Sequence, residues 1–278
     1  MENYFGETPS TYTDSETGNT TVTIYCQTKP DWNPATRLEI AGALRRIARC
    51  GVEFGQPTIS LAKLKPQDWA ESWKRHFKPL EIGSRLLIKP SWSRHKPRKG
   101  QALVVLDPGL SFGTGQHPTT AFCLEQLAVR RQPGRQQSFL DIGTGSGILA
   151  IAAAKMGYRP VHAFDFDPES IRIARENARR NRESRRIQFL HQDVRKLPAR
   201  TSKKYSVICA NLISTLLVAE RNRILTHLEA EGILIVAGIL KNEFDTVREA
   251  YEGPGLRLMT SRTEKEWRSA SFWSGNET

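Results

Sequence analysis

FLDIGTGSGILAIAAAKMG, Phe139 to Gly157, decides how the rest of the chain is read. Phe139, Leu140 and Ile142 form a short apolar run that suits a buried strand. Gly143, Gly145 and Gly147 then crowd into one turn. Ile148 to Lys155 is built from strong helix formers, and Gly157 stands where a helix stop is expected. Strand, glycine turn and helix make the opening unit of a doubly wound α/β sheet that binds nucleotide-like ligands. Glycine suits the turn because the chain must bend sharply and bring its backbone close to a ligand, where a Cβ would clash.

Working outward, a second strand, Val161 to Phe164, ends at Asp165, roughly 20 residues beyond Gly143. A carboxylate there can accept hydrogen bonds from ribose hydroxyls. Nicotinamide enzymes share that acid, but their glycines run G-x-G-x-x-G. Here they run G-x-G-x-G, with Asp141 just before the first. That spacing resembles the S-adenosylmethionine (SAM) loop of class I methyltransferases. The glycines by themselves leave two alternatives open: a dinucleotide site, and a turn with no ligand.

Composition bounds the class. The sequence has 278 residues, enough for one large domain and a small one, and a hydrophobic fraction of 38%, enough for a real core. Cys26, Cys50, Cys123 and Cys209 are scattered and form no C-x-x-C. They read as reduced thiols of a cytoplasmic protein, without a disulfide frame or a zinc knuckle. The start, MENYFGETPS, has no basic region followed by an apolar one, so no secretory signal is expected. The longest apolar runs, such as Gly232 to Leu240, are too short to span a bilayer. Net charge is +12. Much of it clusters between Arg172 and Lys204, and a second basic stretch runs from Arg94 to Lys99. Such charge attracts nucleic acid through its phosphates, or forms a solvated helix face. No aromatic residues interleave with the arginines as a base-stacking surface requires.

Along the chain, residues 1 to about 20 are polar and expected to be loose. Thr21–Cys26 alternates like a strand, Pro34–Cys50 has apolar residues at helical spacing, and Pro57–Leu64 reads as a strand. Asp68–Phe77 reads as a short helix whose Trp69, Trp73 and Phe77 share one face, for packing between domains or for facing substrate. Ile82–Pro90 and Ala102–Leu106 are expected strands. Beyond Phe139, strands are expected at Ile187–Leu190, Ser206–Ala210, Ile233–Ala237, Leu256–Ser261 and Trp267–Phe272. Helices are expected at Asp167–Arg182 and Leu216–Leu228. The organisation expected is a small α+β module over 1–66, a linker helix and lead-in strand over 67–98, and the main α/β domain over 99–278.

The second informative segment is DPGLSFGTGQHPTT, Asp107 to Thr120. Pro118 suits a first helical position, which puts Thr119 and Thr120 in the first turn. Free N–H groups and a hydroxyl there can hold a carboxylate. Gly113 and Gly115 permit a flexible lid; a purely structural loop with Thr120 as a local cap is the alternative. His117 reads as a loop histidine with a structural hydrogen bond, or as a base. Asn211 follows a strand at the carboxyl edge of the sheet, where an amide can both accept and donate, or where it simply turns the chain. Asp193, past the third strand, is placed to contact an adenine or to sit on the surface.

Taken with DIGTGSGILAIAAAKMG, FDFDPESIRIARENARRN and ANLI, the Asp107–Thr120 loop resembles the ribosomal-protein L-eleven methyltransferases, the PrmA family. The FGTG-x-HPTT loop is the most specific element, and the likeness runs from about residue 58 to the C-terminus. The resemblance implies a Rossmann-like seven-stranded methyltransferase domain with a small, shortened α+β N-terminal module for substrate recognition. It implies SAM as cofactor, held by Thr120, Gly143, Asp165 and Asn211, with Phe112, Asp141 and Gly145 in the same set. Asn211 is the expected catalytic residue, and no metal is expected. It further implies a cytoplasmic enzyme that methylates lysine ε-amines, and an α-amine, of a ribosomal protein, with ribosomal RNA contact through the basic surface and no membrane partner. An RNA methyltransferase and a catalytically idle SAM-binding ribosome-associated protein are the alternatives. The chain departs from the family pattern in its short N-terminal module, its strong positive charge, and AGIL at Ala237–Leu240 in place of SGIL.

Overall fold

The structure is a computed structural model and describes residues 10–13, 20–26, 30–49, 58–61, 77–107 and 117–275. The chain divides into two units, Met1–Ala70 and Glu71–Thr278. In the first, β1 (Ser10–Thr13) pairs antiparallel with β2 (Thr20–Thr23), and α1 (Pro34–Arg49) follows. Asn33 starts that helix: its Oδ1 accepts from Thr36 N at 2.9 Å, and Pro34 supplies a fixed φ. The hairpin corrects the expectation of a loose start, because the STYT and TTVT segments are rich in β-branched and aromatic residues and pair with each other. Residues 58–61 carry no strand, contrary to the reading of Pro57–Leu64. The rest of that stretch, and the expected helix Asp68–Phe77 apart from Phe77, lie outside the described residues.

In the second unit, β3 (Leu80–Ile82) and β4 (Leu86–Lys89) form a hairpin, and β5 (Ala102–Val105) runs parallel to β4. The single strand expected over Ile82–Pro90 is thus a tight turn between two short strands. Then come α2 (Pro118–Arg130), β6 (Phe139–Ile142), α3 (Ile148–Lys155), β7 (Val161–Asp165), α4 (Pro168–Arg180) and β8 (Ile187–His191). These are followed by β9 (Tyr205–Asn211), α5 (Ser214–Ala219), α6 (Arg221–Thr226), β10 (Leu228–Leu240), α7 (Phe244–Glu252), β11 (Arg257–Glu264) and β12 (Trp267–Trp273). The helix expected over Leu216–Leu228 is two short helices, and its last residue already belongs to β10.

Seven strands make one sheet in the order β11-β12-β10-β9-β6-β7-β8. β8, β7, β6, β9 and β10 are parallel, while β12 is antiparallel to both β10 and β11. Strand order therefore reverses between β6 and β9, and a doubly wound sheet binds ligands at such a switch point. The sheet is covered on both faces, which is why its central strands read as unbroken apolar runs. Phe139, Val207, Cys209 and Ile235 pack with Leu127 and Ile151 on one side. Leu140, Ile142, Ile208 and Val236 pack with Phe244, Tyr251 and Phe272 on the other. Each fully buried side chain of this size contributes about 1.5–3 kcal/mol. The two deepest tyrosines keep their hydroxyls bonded, Tyr158 to Leu127 O and Tyr251 to Leu217 O, both at 2.9 Å.

Candidate functional site

Register brings the expected site residues together. Ile142 on β6 lies level with Phe164 on β7 and with Ala210 on β9. The next residue on each strand is Gly143, Asp165 and Asn211, so all three stand side by side on the carboxyl edge of the sheet at the switch point. Gly143 and Thr144 both donate backbone N–H groups to Phe164 O at 3.0 Å, which folds the glycine turn toward β7. Gly143 has φ +74, and a Cβ there would meet Leu212 Cδ2 at 2.6 Å. Only glycine satisfies both conditions.

Asp165 is 7% exposed. Its Oδ2 accepts from Gly145 N at 2.9 Å and its Oδ1 from Asp167 N at 3.0 Å. A carboxylate oxygen carries two lone pairs, so each keeps one free to accept from a ligand hydroxyl. Two bonds thus tie the acid at the end of β7 to the glycine turn and to the start of α4.

Asp141 sits beneath the turn and is fully buried. Its Oδ2 accepts from Thr144 Oγ1 at 2.6 Å and from Ala150 N at 3.2 Å, capping the first turn of α3. Its Oδ1 has no hydrogen-bond partner. Burial pushes this carboxyl up to about 7; the Thr144 and Ala150 bonds oppose that, and the Asp165 charge adds to it. Asp141 is therefore a support of the glycine turn, one layer below Gly143 and Gly145.

The first turn of α2 faces the end of β9. His117 precedes the helix in extended conformation and Pro118 opens it. Thr119 and Thr120 are both buried. Thr119 Oγ1 lies 2.8 Å from His117 Nδ1 and 3.4 Å from Asn211 Nδ2. Thr120 Oγ1 is buried with no hydrogen-bond partner. Burial lowers the His117 pKa below its ordinary value, and its ring meets Trp267 edge-on at 5.2 Å between centroids. His117 Nδ1 and the Thr119 hydroxyl share a hydrogen bond, and that hydroxyl accepts a second one from Asn211 Nδ2. The amide's orientation is set by this chain, and Asn211 Oδ1 is left to accept.

Gly238 shapes the other side of Asn211. The pairing of β10 with β12 slips between Val236 and Ile239, a bulge of the kind that bends a strand beside a site. Gly238 has φ +81, and a Cβ there would meet Leu212 O at 2.7 Å and Asn211 Oδ1 at 3.0 Å.

Phe112, Gly113 and Gly115 lie outside the described residues. Asp193 is turned inward on its own segment: it caps a short 3-10 turn and forms a 2.5 Å ion pair with Arg195, which holds its carboxyl down at about 2. Sequence reasoning missed Thr119 as the partner of Asn211, as well as Leu212, Gly238 and Trp267. The HPTT motif put both threonines in the right turn, but which one faces β9 depends on the rotation of α2. Among the described residues no group of three or more His, Cys, Asp or Glu side chains stands ready to hold a metal ion. No helix among them is long and apolar enough to cross a membrane.

Comparison with known proteins identifies the family. The family model described as ribosomal protein L11 methyltransferase (PrmA) matches residues 7–273. That match takes in the N-terminal unit, which the reading from about residue 58 had left out. The ribosomal protein L11 methyltransferase of Alkaliphilus oremlandii is 34% identical over 228 residues, covering 82% of this chain and 71% of the relative. That of Trichlorobacter lovleyi is 42% identical over 220 residues, covering 78% and 70%. That of Streptococcus equi subsp. zooepidemicus is 33% identical over 272 residues, covering 98% and 83%. The solved ribosomal protein L11 methylase from Lactobacillus delbrueckii subsp. bulgaricus superimposes with a TM-score of 0.63 at 28% identity, covering 72% of this chain and 100% of that one. With the family model matched over residues 7–273 and relatives of this name at 33–42% identity, the chain belongs to the ribosomal protein L11 methyltransferase (PrmA) family.

Proposed function

We propose that this protein transfers methyl groups from SAM to amines of the ribosomal protein L11, on lysine side chains and on the α-amine. The observation that carries the reading is the convergence of Gly143, Asp165, Asn211 and the first turn of α2 at the switch point of the sheet. The residues present fit SAM. Asp165 keeps lone pairs for ribose hydroxyls, and Gly143 lets a ligand approach the backbone. The unpartnered Thr120 hydroxyl and the N-terminus of α2 suit the carboxylate of the methionine end. Gly145 and Asp141 hold the glycine turn, and Phe112, outside the described residues, is the remaining member of the set that the family resemblance implies.

When bound, SAM supplies a methyl on a sulfonium, already an excellent leaving group, so the protein's task is orientation and desolvation. Asn211 Oδ1 accepts from the incoming amine and points its lone pair toward the methyl. The amine must arrive neutral; removing a proton from a lysine of ordinary pKa costs about 4.6 kcal/mol at pH 7. Burial beside a cation lowers that cost. Among the described residues no side chain is placed as a strong base, and the proton leaves to water. The N-terminal unit serves as the substrate-recognition module, and the excess positive charge suits a further contact with ribosomal RNA. The cytoplasm is the compartment for this activity: Cys26, Cys123 and Cys209 are free thiols.

Incubation with radiolabelled SAM and purified ribosomal particles, followed by mass spectrometry of the labelled protein, tests the reading. Label on L11 amines is the expected result. Label in RNA would make the chain an RNA methyltransferase, against which stands the absence of an N-P-P-Y motif: Asn211 is followed by Leu212 and Ile213. No label at all would leave a SAM-binding protein without catalysis.

A further inference from the structure

Seven arginines crowd α4 and the turn after it, and they fall into two groups. Arg172 is clamped by Glu169 and Glu176, each at 2.6 Å; Arg180 pairs with Asp107 at 2.8 Å, and Arg186 reaches Glu183 at 3.4 Å. Arg175, Arg179, Arg182 and Arg185 are exposed and have no acidic partner among the described residues. The acids within reach are already used, so four guanidinium charges remain uncompensated on one patch.

The patch has shape as well as charge. Arg175 and Arg179 stand one helical turn apart and line a groove of about 510 Å³ between α4 and β8, with Ile187 and Phe189 among its walls. Arg175 Nη2 donates to Phe189 O at 3.0 Å, which draws its guanidinium over the edge strand and leaves its other N–H groups to the groove. Arg182 sits at φ 62 in the left-handed region, where glycine is unstrained and any other side chain costs about 1–2 kcal/mol. The helix dipole favours a cation in the last turn and so accounts for Arg179, but it gives no reason for an arginine at a glycine position.

We propose that this arginine groove docks the phosphate backbone of RNA. Guanidinium forks match phosphate oxygens two at a time, and the net charge of +12 provides the long-range attraction. The groove runs along α4 from Pro168 to Arg179 and on to Ser184, on the side of the helix that faces β8. This site goes beyond methyl transfer and does not depend on it.

The test is fluorescence anisotropy of the full chain with a labelled fragment of large-subunit ribosomal RNA, at a series of salt concentrations. The wild-type chain is expected to bind with log K falling linearly with log salt. Arg182→Gly is the sharpest variant: it relieves the strained φ, so its melting temperature holds or rises, while RNA affinity falls several-fold and the salt slope shrinks by about 1. Arg179→Glu with Arg185→Glu is expected to weaken binding by about tenfold or more. No binding by the wild type, or unchanged affinity and slope in both variants, overturns the proposal. So does competition by polyglutamate as effective as that by RNA, which would point to an acidic protein segment. Methylation of free L11 by the same variants is expected at the wild-type rate. RNA binding without any methylation would count against the proposed activity alone.

Discussion

Asn211 Nδ2 is held 3.4 Å from Thr119 Oγ1, a contact between the end of β9 and the first turn of α2 across 92 residues of sequence. The hydroxyl is in turn tied to His117 Nδ1 at 2.8 Å. Thr119 therefore decides which end of the Asn211 amide faces α2.

Thr119→Val keeps the shape and removes the hydroxyl. It is expected to lower kcat for methyl transfer by about tenfold, the equivalent of about 1.4 kcal/mol, with SAM affinity nearly unchanged. Asn211→Ala should cost more, since it removes the accepting oxygen itself. Steady-state kinetics with isothermal calorimetry separates the two quantities; a Thr119→Val enzyme with full kcat would remove Thr119 from the mechanism.

Asp165→Ala is expected to weaken SAM binding by about 1.5–3 kcal/mol, the range for a hydrogen bond to a charged group. Asp165→Asn should lose less, because it retains an acceptor for Gly145 N or Asp167 N. Calorimetry showing wild-type affinity in the alanine variant would sink the cofactor assignment.

Gly238→Ala adds a methyl that meets Leu212 O at 2.7 Å in a left-handed backbone. The strain alone costs about 1–2 kcal/mol, and overpacking adds a further ~1–3 kcal/mol. Gly255 has φ +97 and nothing within 4 Å of its added Cβ, so Gly255→Ala should show only the first cost and keep full activity. Urea melts and initial rates of the pair check this; equal losses in both would mean that the bulge beside Asn211 has no special role.

Asp141 carries a pH signature. Its folded pKa is raised from 3.8 to about 7 by burial. Between those values the folded chain keeps a proton that the unfolded chain has lost, so the contribution of this group to stability falls as pH rises and is fully lost above about 7. Asp141→Asn cannot ionise. The variant should gain in melting temperature relative to wild type on going from pH 4 to pH 8, and a difference that stays flat with pH would show that Asp141 titrates normally.

Deleting residues 1–70, the first unit, should leave SAM affinity within about twofold while methylation of L11 collapses, because a protein substrate needs a docking surface to hold its amine in line. A folded truncated enzyme that methylates at the full rate would dissociate recognition from this unit.

Much of the sheet was legible in the chain. The run Phe139–Ile142, its glycines and Ile148–Lys155 specify a strand, a turn and a helix through local chemistry alone: apolar side chains that must be buried, and a turn that tolerates no Cβ. Once the strands are parallel, their carboxyl ends lie on one edge whatever their distance along the chain. Gly143, Asp165 and Asn211 could therefore be placed together from strand ends alone. What only the tertiary structure decided is rotation and register. Whether Thr119 or Thr120 faces β9 depends on how α2 turns against the sheet. The bulge at Gly238 depends on a slip between β10 and β12, and the meeting of His117 with Trp267 depends on an antiparallel edge strand far along the chain. The hairpin Ser10–Thr13 with Thr20–Thr23 belongs to the same class. The second segment was legible as the strand Thr21–Cys26, but Ser10–Thr13 alone is too short and polar to announce one, and the pairing energy exists only when both are present.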